Sequence, residues 1–498
     1  MVGAAGVAAA LVFLLVKDSL TDDAYITLGY AKNLATDGHW GLIPQEVANS
    51  ATSPLNVLLL GAVTWLTTLF GEARPVVGLG VVTIVTGMAL AWGWARLVRA
   101  LRLAGWVAVA TAGLGIVLVL ANPFVLSAVG LEVLLMPALL IWLVTLAMER
   151  RPAWFGVVSG LTLVTRLDLV VFVVVIALST SAIRRKLHWA VLAACLIAGP
   201  WYVFSWFYFG SAVPDTLVIK QAQGGLFGEW SYLTGPIMYF MGRKIVVGLA
   251  FLPMIAGVFA LVGWLLVRVS VRWSSPPQAV GPVAALGVGG IGYYGVYTLM
   301  GVGPYHWYFV PPMVSLAMCL AGLVGVWAAR AREQDRLRPA VPVAVLGLVA
   351  LLGLGNVASD VKQGLPWGSP VIFGNWANAS EYARVGQALG QRLDGSTVAS
   401  PGEIGTLAYF CECPIVDEFA DRGRIVEPVE TRIANSNPIG SLVWRANYFW
   451  LDRSMKPRPI DYELRYEEGP GSGKDTWQVE SAFKGAGHFT LVPAGRSS

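Results

Sequence analysis

Charged side chains are scarce in this chain of 498 residues. Asp, Glu, Lys and Arg together make up 13% of it and hydrophobic residues 56%, whereas about 25% of a soluble protein is charged. This composition excludes an ordinary soluble globular protein and indicates a polytopic α-helical membrane protein. The net charge of +5 is small, and we interpret it as a signal of membrane topology rather than of nucleic-acid binding.

Cysteine is also rare. Cys195 and Cys319 lie in apolar runs, where cysteine is usually a small packing residue. Cys411 and Cys413 lie near the C-terminal end, and in a strand their side chains would point the same way, so we expect no disulfide between them. No zinc spacing or other metal motif is evident beyond one pair of aspartates. We therefore expect no obligatory metal ion and no other cofactor.

Apolar runs, by contrast, are abundant, and each is close to the ~20 residues that a helix needs to cross a bilayer. Lipid offers no hydrogen-bond partners to the backbone, so the runs must be helices. Residues 2–16 have no basic flank and no small-residue cleavage site, and we expect them to be retained as the first span. The later runs are 76–95, 105–121, 130–148, 153–165, 168–182, 187–207, 245–267, 280–301, 308–328 and 339–356.

Basic residues occupy alternate loops, which the positive-inside rule assigns to the cytoplasm. A further apolar run, 53–71, conflicts with this alternation, and we expect it to lie partly in the outer interface unless one of the short later runs fails to span. The prediction is eleven crossings plus juxtamembrane helices, with the N-terminus inside and the C-terminus outside. The basic loops are 96–102, 150–151, 184–186, 268–272 and 330–338.

The composition changes after residue 356 to mixed helix and strand patterns with more charge. We therefore predict two domains: a transmembrane catalytic domain over 1–356, whose first external loop is 18–75, and an extracytoplasmic soluble α/β domain over 357–498. In the second domain the patterns predict helices at 375–393 and 403–410 and strands at 397–400, 414–417, 442–451 and 488–492.

Asp22 and Asp23 lie where the first span meets water, and they are the candidate catalytic residues. A carboxylate at such a position can accept the proton of an attacking hydroxyl group. In a helix that begins near Asp22, neighbouring side chains diverge by about 100°, so only one of the two can face a given substrate. The other can cap the helix N-terminus, and the alternative is that both acids are merely caps.

Five short motifs in order along the chain resemble the GT-C superfamily of membrane glycosyltransferases, and in particular the actinobacterial arabinofuranosyltransferases of cell-wall assembly. The likeness spans most of the membrane part. Two positions depart from the pattern: Leu167 stands where many members have proline, and no arginine precedes Tyr305. The motifs are Asp22-Asp23-Ala24-Tyr25-Ile26 with Tyr30-Ala31-Lys32-Asn33-Leu34, Ser50-Ala51-Thr52-Ser53-Pro54-Leu55, Gly130-Leu131-Glu132, Thr165-Arg166-Leu167-Asp168, and Tyr208-Phe209-Gly210 with Val213-Pro214-Asp215-Thr216 and Lys220.

This resemblance implies a GT-C-like fold and an inverting glycosyltransferase in the cell membrane. The donor would be a polyprenyl-phosphate sugar, either arabinofuranose or mannose, whose tail stays in membrane lipid. The acceptor would be a cell-envelope polysaccharide or glycolipid on the outer side. Cationic groups would neutralise the charge that builds up on the leaving phosphate.

Eight polar residues are candidates for binding the donor phosphate or the substrate, since charged groups near membrane depth are costly. Four of them have a simpler interpretation: Lys220 could be a snorkelling interface lysine, Arg166 and Asp168 could pair with each other, and Glu132 could cap a helix. The candidates are Lys220, Arg166, His306, Asp168, Glu132, Arg243, Lys244 and Tyr305.

Two other functions compete with the transferase. A transporter or flippase of lipid-linked sugars would have ionisable residues at mid-span, broken helices and an internal repeat, and none of these is clear in the sequence. A non-catalytic membrane protein that binds envelope glycan would not need an intact acid pair.

Overall fold

The computed structural model describes residues 1–222, 225, 227, 228, 230–270, 280–333 and 340–495. Parts of the predicted basic loops 268–272 and 330–338 lie outside these residues. The first part of the chain is helical, with α1 (Val2–Val16), α2 (Asp22–Asp37), α3 (Pro54–Thr68), α4 (Pro75–Ala100), α5 (Gly105–Leu120), α6 (Pro123–Leu126), α7 (Leu135–Met148), α8 (Pro152–Thr165), α9 (Val170–Ser179), α10 (Ser181–Arg185), α11 (Leu187–Tyr208), α12 (Thr216–Ala222), α13 (Gly235–Gly242), α14 (Lys244–Ser270), α15 (Val280–Met300), α16 (Val310–Glu333) and α17 (Ala340–Lys362).

Each predicted apolar run coincides with one of these helices. Among the described residues, six helical segments are long and apolar enough to cross a membrane: α4, α11, α14, α15, His306–Ala331 and α17. Six shorter apolar segments accompany them: α1, α3, α5, α7, α8 and Leu167–Ser179. The predicted number of eleven crossings stays a prediction. The uncertain run 53–71 forms α3, which packs against α2 and α4.

The helices differ in how much of their surface the protein itself covers. The segment that contains α16 is 94% buried inside the protein, which places it at the centre of the bundle. By contrast, α11 is only 17% buried and α17 only 28%. These two helices expose apolar side chains along their length, as expected of helices that face lipid.

After α17, which continues past residue 356 to Lys362, the chain forms the α/β region, residues 363–495. Its five-stranded sheet has the order β2-β1-β3-β5-β4, in which β1 is parallel to β2 and β3 while β5 is antiparallel to β3 and β4. The elements are α18 (Ala379–Arg392), β1 (Val398–Ala399), α19 (Gly405–Cys411), β2 (Ile415–Val416), α20 (Val426–Asn435), α21 (Pro438–Asn447), β3 (Tyr462–Glu468), β4 (Thr476–Ser481) and β5 (Gly485–Pro493).

The predicted strand at 442–451 is wrong, because most of this segment belongs to helix α21 and the turn after it. Pro438 occupies the first turn, and the Asn437 side chain accepts a hydrogen bond from the Gly440 N–H at 2.8 Å, which caps the helix. The segment is dense in apolar and aromatic residues, as many strands are, but these residues recur at helical spacing. The other predicted helices and strands of this region are confirmed, whereas α20, β3 and β4 were not predicted.

Cys411 and Cys413 form a disulfide, so the expectation that they would not is also wrong. The expectation assumed a strand, but Cys411 is the last residue of α19. Glu412 between them has φ +54°, in the left-handed region. This turn at the helix end brings the two sulfur atoms together, which two positions in a strand would not.

The α/β region packs directly on α2. One apolar cluster contains Tyr30 and Val57 of the membrane part together with Leu407 and Ile415 of the α/β region. At the closest point, a Cβ added to Gly405 would lie 2.0 Å from the carbonyl oxygen of Asp22. Helices α2 and α19 therefore approach each other to a distance that only glycine permits at this position.

We expect Gly405→Ala to weaken this packing. The added Cβ forces the backbone of α19 away from α2, at a cost of about 1–3 kcal/mol. The thermal unfolding midpoint of the detergent-purified chain should therefore fall. Gly368→Ala is the matched control, because an added Cβ there meets nothing within 4 Å. Equal midpoints for the Gly405 variant and the native chain would contradict the close approach.

Candidate active site

All five sequence motifs contribute side chains to one cleft, together with the segment 307–308 and one residue of the α/β region. The cleft is narrow and partly open to solvent. It lies at the N-terminal end of α2, where the membrane part meets the α/β region. Its polar and aromatic lining consists of Asp23, Thr27, Ser50, Thr52, Ser53, Glu132, Arg166, Thr216, Lys220, Trp307, Tyr308 and Phe419.

The two aspartates point to different surroundings, as the angle between neighbouring helical side chains requires. Asp23 lines the cleft, and its Oδ1 lies 3.7 Å from the Lys220 Nζ. Asp22 is buried and accepts hydrogen bonds from the backbone N–H groups of Gly405 and Thr406, at 2.9 and 2.7 Å. Its carboxylate therefore caps α19, and only Asp23 is presented to the cleft.

A second set of hydrogen bonds holds the same junction. The Asn375 Oδ1 accepts from the Thr21 hydroxyl at 2.9 Å, and the Asn375 Nδ2 donates to Glu403 at 3.1 Å. Tyr382 also donates to Glu403. Burial raises the pKa of Glu403 to about 8. The start of α2 is thus linked to the α/β region at two neighbouring points.

The Lys220 side chain projects from α12, and aromatic rings surround its ammonium group. Its Nζ lies 3.8 Å from the ring centroid of Tyr305, 5.2 Å from that of Phe419 and 5.7 Å from that of Trp307. Burial disfavours its charge, but Asp23 and the nearby tyrosines outweigh burial and raise the pKa of Lys220 above its usual value. The side chain is therefore a cation at neutral pH, held by one carboxylate and by aromatic faces.

Arg166 occupies the break between α8 and the short 3₁₀ helix that leads into α9. Its Nη1 donates to Glu132 at 2.7 Å and its Nη2 to Asp168 at 2.7 Å, while Tyr297 donates to Asp168. Arg166 and Asp168 thus pair with each other, as in their simpler interpretation, and Glu132 joins them in one buried network. Because two carboxylates already engage its guanidinium, Arg166 holds Glu132 at the cleft wall.

The turn that carries Glu132 is pressed against α2. Gly130 has φ +108°, and a Cβ added there would lie 2.4 Å from the Cβ of Ala24. The Gly130 carbonyl accepts a hydrogen bond from Asn56 at 3.3 Å. This contact brings Glu132 to the same cleft as Asp23, which sequence spacing alone could not establish.

The remaining candidates lie outside the cleft lining. His306 is buried, with its Nε2 3.4 Å from the Ser127 carbonyl oxygen, and Arg243 donates to Gln363 at 3.4 Å. Lys244 begins α14 and is exposed. Tyr305 does not line the cleft itself, but its ring contacts the Lys220 ammonium, which does. The structure therefore brings five of the eight candidates together at the cleft. It does not bring His306, Arg243 and Lys244 together with them.

Phe419 is a lining residue that the sequence analysis missed. Its carbonyl accepts a hydrogen bond from the Ser50 hydroxyl at 2.6 Å, and its N–H donates to Asp417 at 2.7 Å. Burial raises the pKa of Asp417 to about 7. No motif surrounds Phe419, so only the packing of the α/β region on the membrane part could reveal it. Among the described residues, no group of three or more His, Cys, Asp or Glu side chains could hold a metal ion.

We expect Asp22 to make the folded chain less stable as the pH rises. Burial, opposed by its hydrogen bonds and aided by Asp23, raises its pKa from 3.8 to about 6. Between these values the folded chain keeps a proton that the unfolded chain has released, so the resulting stability is complete below a pH of about 4 and is lost as the pH rises through about 6. Each pKa unit corresponds to about 1.4 kcal/mol.

The measurement is the unfolding midpoint from about pH 4 to about pH 8 for the native chain and for Asp22→Asn, which cannot ionise. The variant should show the shallower decline, because the carboxyl that titrates is gone. Parallel curves would show that Asp22 ionises in the folded chain as easily as in water.

Comparisons with known proteins bear on the fold. No protein-family model and no curated protein matches the sequence. Among solved structures, ArnT from Cupriavidus metallidurans bound to undecaprenyl phosphate aligns over 99% of this chain and 98% of its own, with 12% identity and a TM-score of 0.54. The Archaeoglobus fulgidus oligosaccharyltransferase tethered with an acceptor peptide aligns over 93% of this chain and 68% of its own, with 10% identity and a TM-score of 0.50.

A mutant of the arabinofuranosyltransferase AftD from Mycobacteria aligns over 98% of this chain but only 41% of its own, with 14% identity and a TM-score of 0.47. ArnT and the oligosaccharyltransferase are members of the GT-C superfamily. This chain therefore shares the fold of these two proteins, which is the fold that the motif resemblance implies.

Proposed function

We propose that this chain is an inverting glycosyltransferase that takes its sugar from a polyprenyl-phosphate donor, with Asp23 as the general base. The observation that carries the proposal is the pair of Asp23 and Lys220, a carboxylate and an ammonium 3.7 Å apart in a cleft at the end of a bundle of apolar helices. A glycosyl transfer needs one group to take a proton and another to neutralise a leaving phosphate. Asp23 and Lys220 are one of each.

Lys220 is better suited to the phosphate than Arg166. Two carboxylates already engage Arg166, whereas Lys220 has one carboxylate neighbour, Asp23. The aromatic faces around Lys220 would stay in contact with it if a phosphate replaced Asp23 as its partner. When the donor phosphate binds, Lys220 pairs with it and Asp23 is released. The freed carboxylate then accepts the proton of the attacking acceptor hydroxyl as the sugar–phosphate bond breaks, and direct displacement inverts the anomeric carbon.

The other residues of the cleft support these two. Asp22 holds the first turn of α2 against α19 and so orients Asp23. The carboxylate of Glu132 is suited to hydrogen-bond a sugar or acceptor hydroxyl. Trp307 and Phe419 offer aromatic faces on which a sugar ring can stack.

Several observations support the proposed donor, acceptor and orientation. ArnT, which shares the fold, is bound to undecaprenyl phosphate, and this supports a lipid-linked donor. The predicted basic loops favour a cytoplasmic position for the opposite end of the bundle, so the cleft and the α/β domain lie outside the cell membrane. The motif resemblance favours arabinofuranose, with mannose as the rival, and a cell-envelope glycan or glycolipid as the acceptor.

We expect Asp23→Asn to lower kcat by about 10²–10⁴, the usual contribution of a general base. The assay compares synthetic polyprenyl-phosphoarabinose and polyprenyl-phosphomannose as donors. Asp37→Asn at the exposed end of α2 is the matched control and should turn over at the native rate. Asp22→Asn should lose much less than Asp23→Asn. Native turnover of either donor by the Asp23 variant would refute the assignment of the base.

We expect Lys220→Met to lower kcat by about 10²–10³, the loss typical of removing a group that stabilises developing negative charge. Lys220→Arg keeps the charge and should recover part of the activity. A donor that carries a better leaving group should reduce the defect of the methionine variant. If the Met and Arg variants are equally impaired, the charge of Lys220 does not act on the phosphate.

A further inference from the structure

Helix α21 presents its apolar side away from the protein. Ile439, Leu442 and Val443 recur at helical spacing and are 78%, 69% and 60% exposed. Ala446 continues the same exposed stripe. No residue of α21 is buried, so the apolar stripe does not contribute to the core of the α/β region.

Helix α18 in the same region shows the usual arrangement. Its apolar residues Tyr382, Val385 and Leu389 are buried, and Gln387 and Gln391 on its other side are exposed. The outward-facing apolar side is therefore a feature of α21 and not of the α/β region as a whole. A continuous apolar stripe exposed to water is unfavourable, which indicates that something other than water covers it.

The stripe is continuous with the lipid-facing surface of α11. The indole Nε1 of Trp206, near the end of α11, donates a hydrogen bond to the Ala446 carbonyl at 2.9 Å. The ring centroid of Trp450 lies 5.6 Å from that of Phe207, and both rings are at least half exposed. Since α11 is long and apolar enough to cross the bilayer and is only 17% buried, its exposed side faces acyl chains.

We propose that α21 is an interfacial helix embedded in the leaflet at the Tyr208 end of α11. Its stripe lies among the acyl chains, and the exposed Phe449 and Trp450 lie at the boundary with the head groups, where aromatic residues are enriched. The exposed Arg445, at the edge of the stripe, reaches the lipid phosphates.

The insertion fixes the depth of the cleft. Val429 and Ile433 of α20, which packs against α21, share one apolar cluster with Val218 and Ile219 of α12. Lys220 follows directly in α12. A helix anchored in the leaflet thus holds the Lys220 ammonium at a constant depth relative to the lipid phosphates.

Site-directed spin labelling tests the insertion in the full chain. A nitroxide is attached to Leu442→Cys, and in a second preparation to Val443→Cys, on a Cys195→Ala background that removes the exposed native thiol. Gln391→Cys on α18 is the matched control. The chains are placed one per nanodisc of phosphatidylethanolamine and phosphatidylglycerol, and collisions with oxygen and with a water-soluble nickel chelate are measured.

The ratio of oxygen to nickel accessibility should be at least about threefold higher at positions 442 and 443 than at position 391, because oxygen concentrates in lipid and the chelate does not enter it. Both stripe residues are exposed, so their replacement removes no core packing. Equal ratios at the three positions would overturn the proposal. Shielding from both agents would also overturn it, since it would show that protein and not lipid covers α21.

Discussion

The contact between Asp22 and the first turn of α19 is the constraint on which the cleft depends. One carboxylate satisfies two N–H groups of a helix that lies 383 and 384 residues away in sequence. The glycine at position 405 allows the two backbones to approach so closely. Because Asp22 is committed to this cap, the helical angle turns Asp23 toward Lys220. The structural role of one acid thereby determines the direction of the other.

Much of the membrane part could be predicted from the sequence, because bilayer thickness and backbone hydrogen bonding leave few choices for an apolar run. The motifs also led to the residues that meet in the cleft: Asp23, Glu132, Arg166 and Lys220 are all there. They are dispersed through the first half of the chain, and only their resemblance to one superfamily predicted that they would come together.

What could not be predicted depends on contacts between distant segments. The direction of Asp23 depends on the contact between Asp22 and Gly405, which lie far apart in sequence. Phe419 lies in no sequence motif. The disulfide between Cys411 and Cys413 depends on the left-handed turn at Glu412, which composition does not signal. The wrong strand prediction at α21 has a different cause, since Asn437, Pro438 and the helical spacing of the apolar residues are local signals of a helix.

The position of Phe419 in the cleft wall has a consequence for biosynthesis. A ribosome delivers the membrane helices, with Asp23, Arg166 and Lys220, well before it has made residue 419. Until the α/β region, residues 363–495, has been translated and has packed on the membrane helices, these charged side chains lie beside an incomplete cleft wall. A chain released prematurely after α17 would thus be an inserted bundle without a finished cleft, and assembly of the site is one of the last events in the maturation of the molecule.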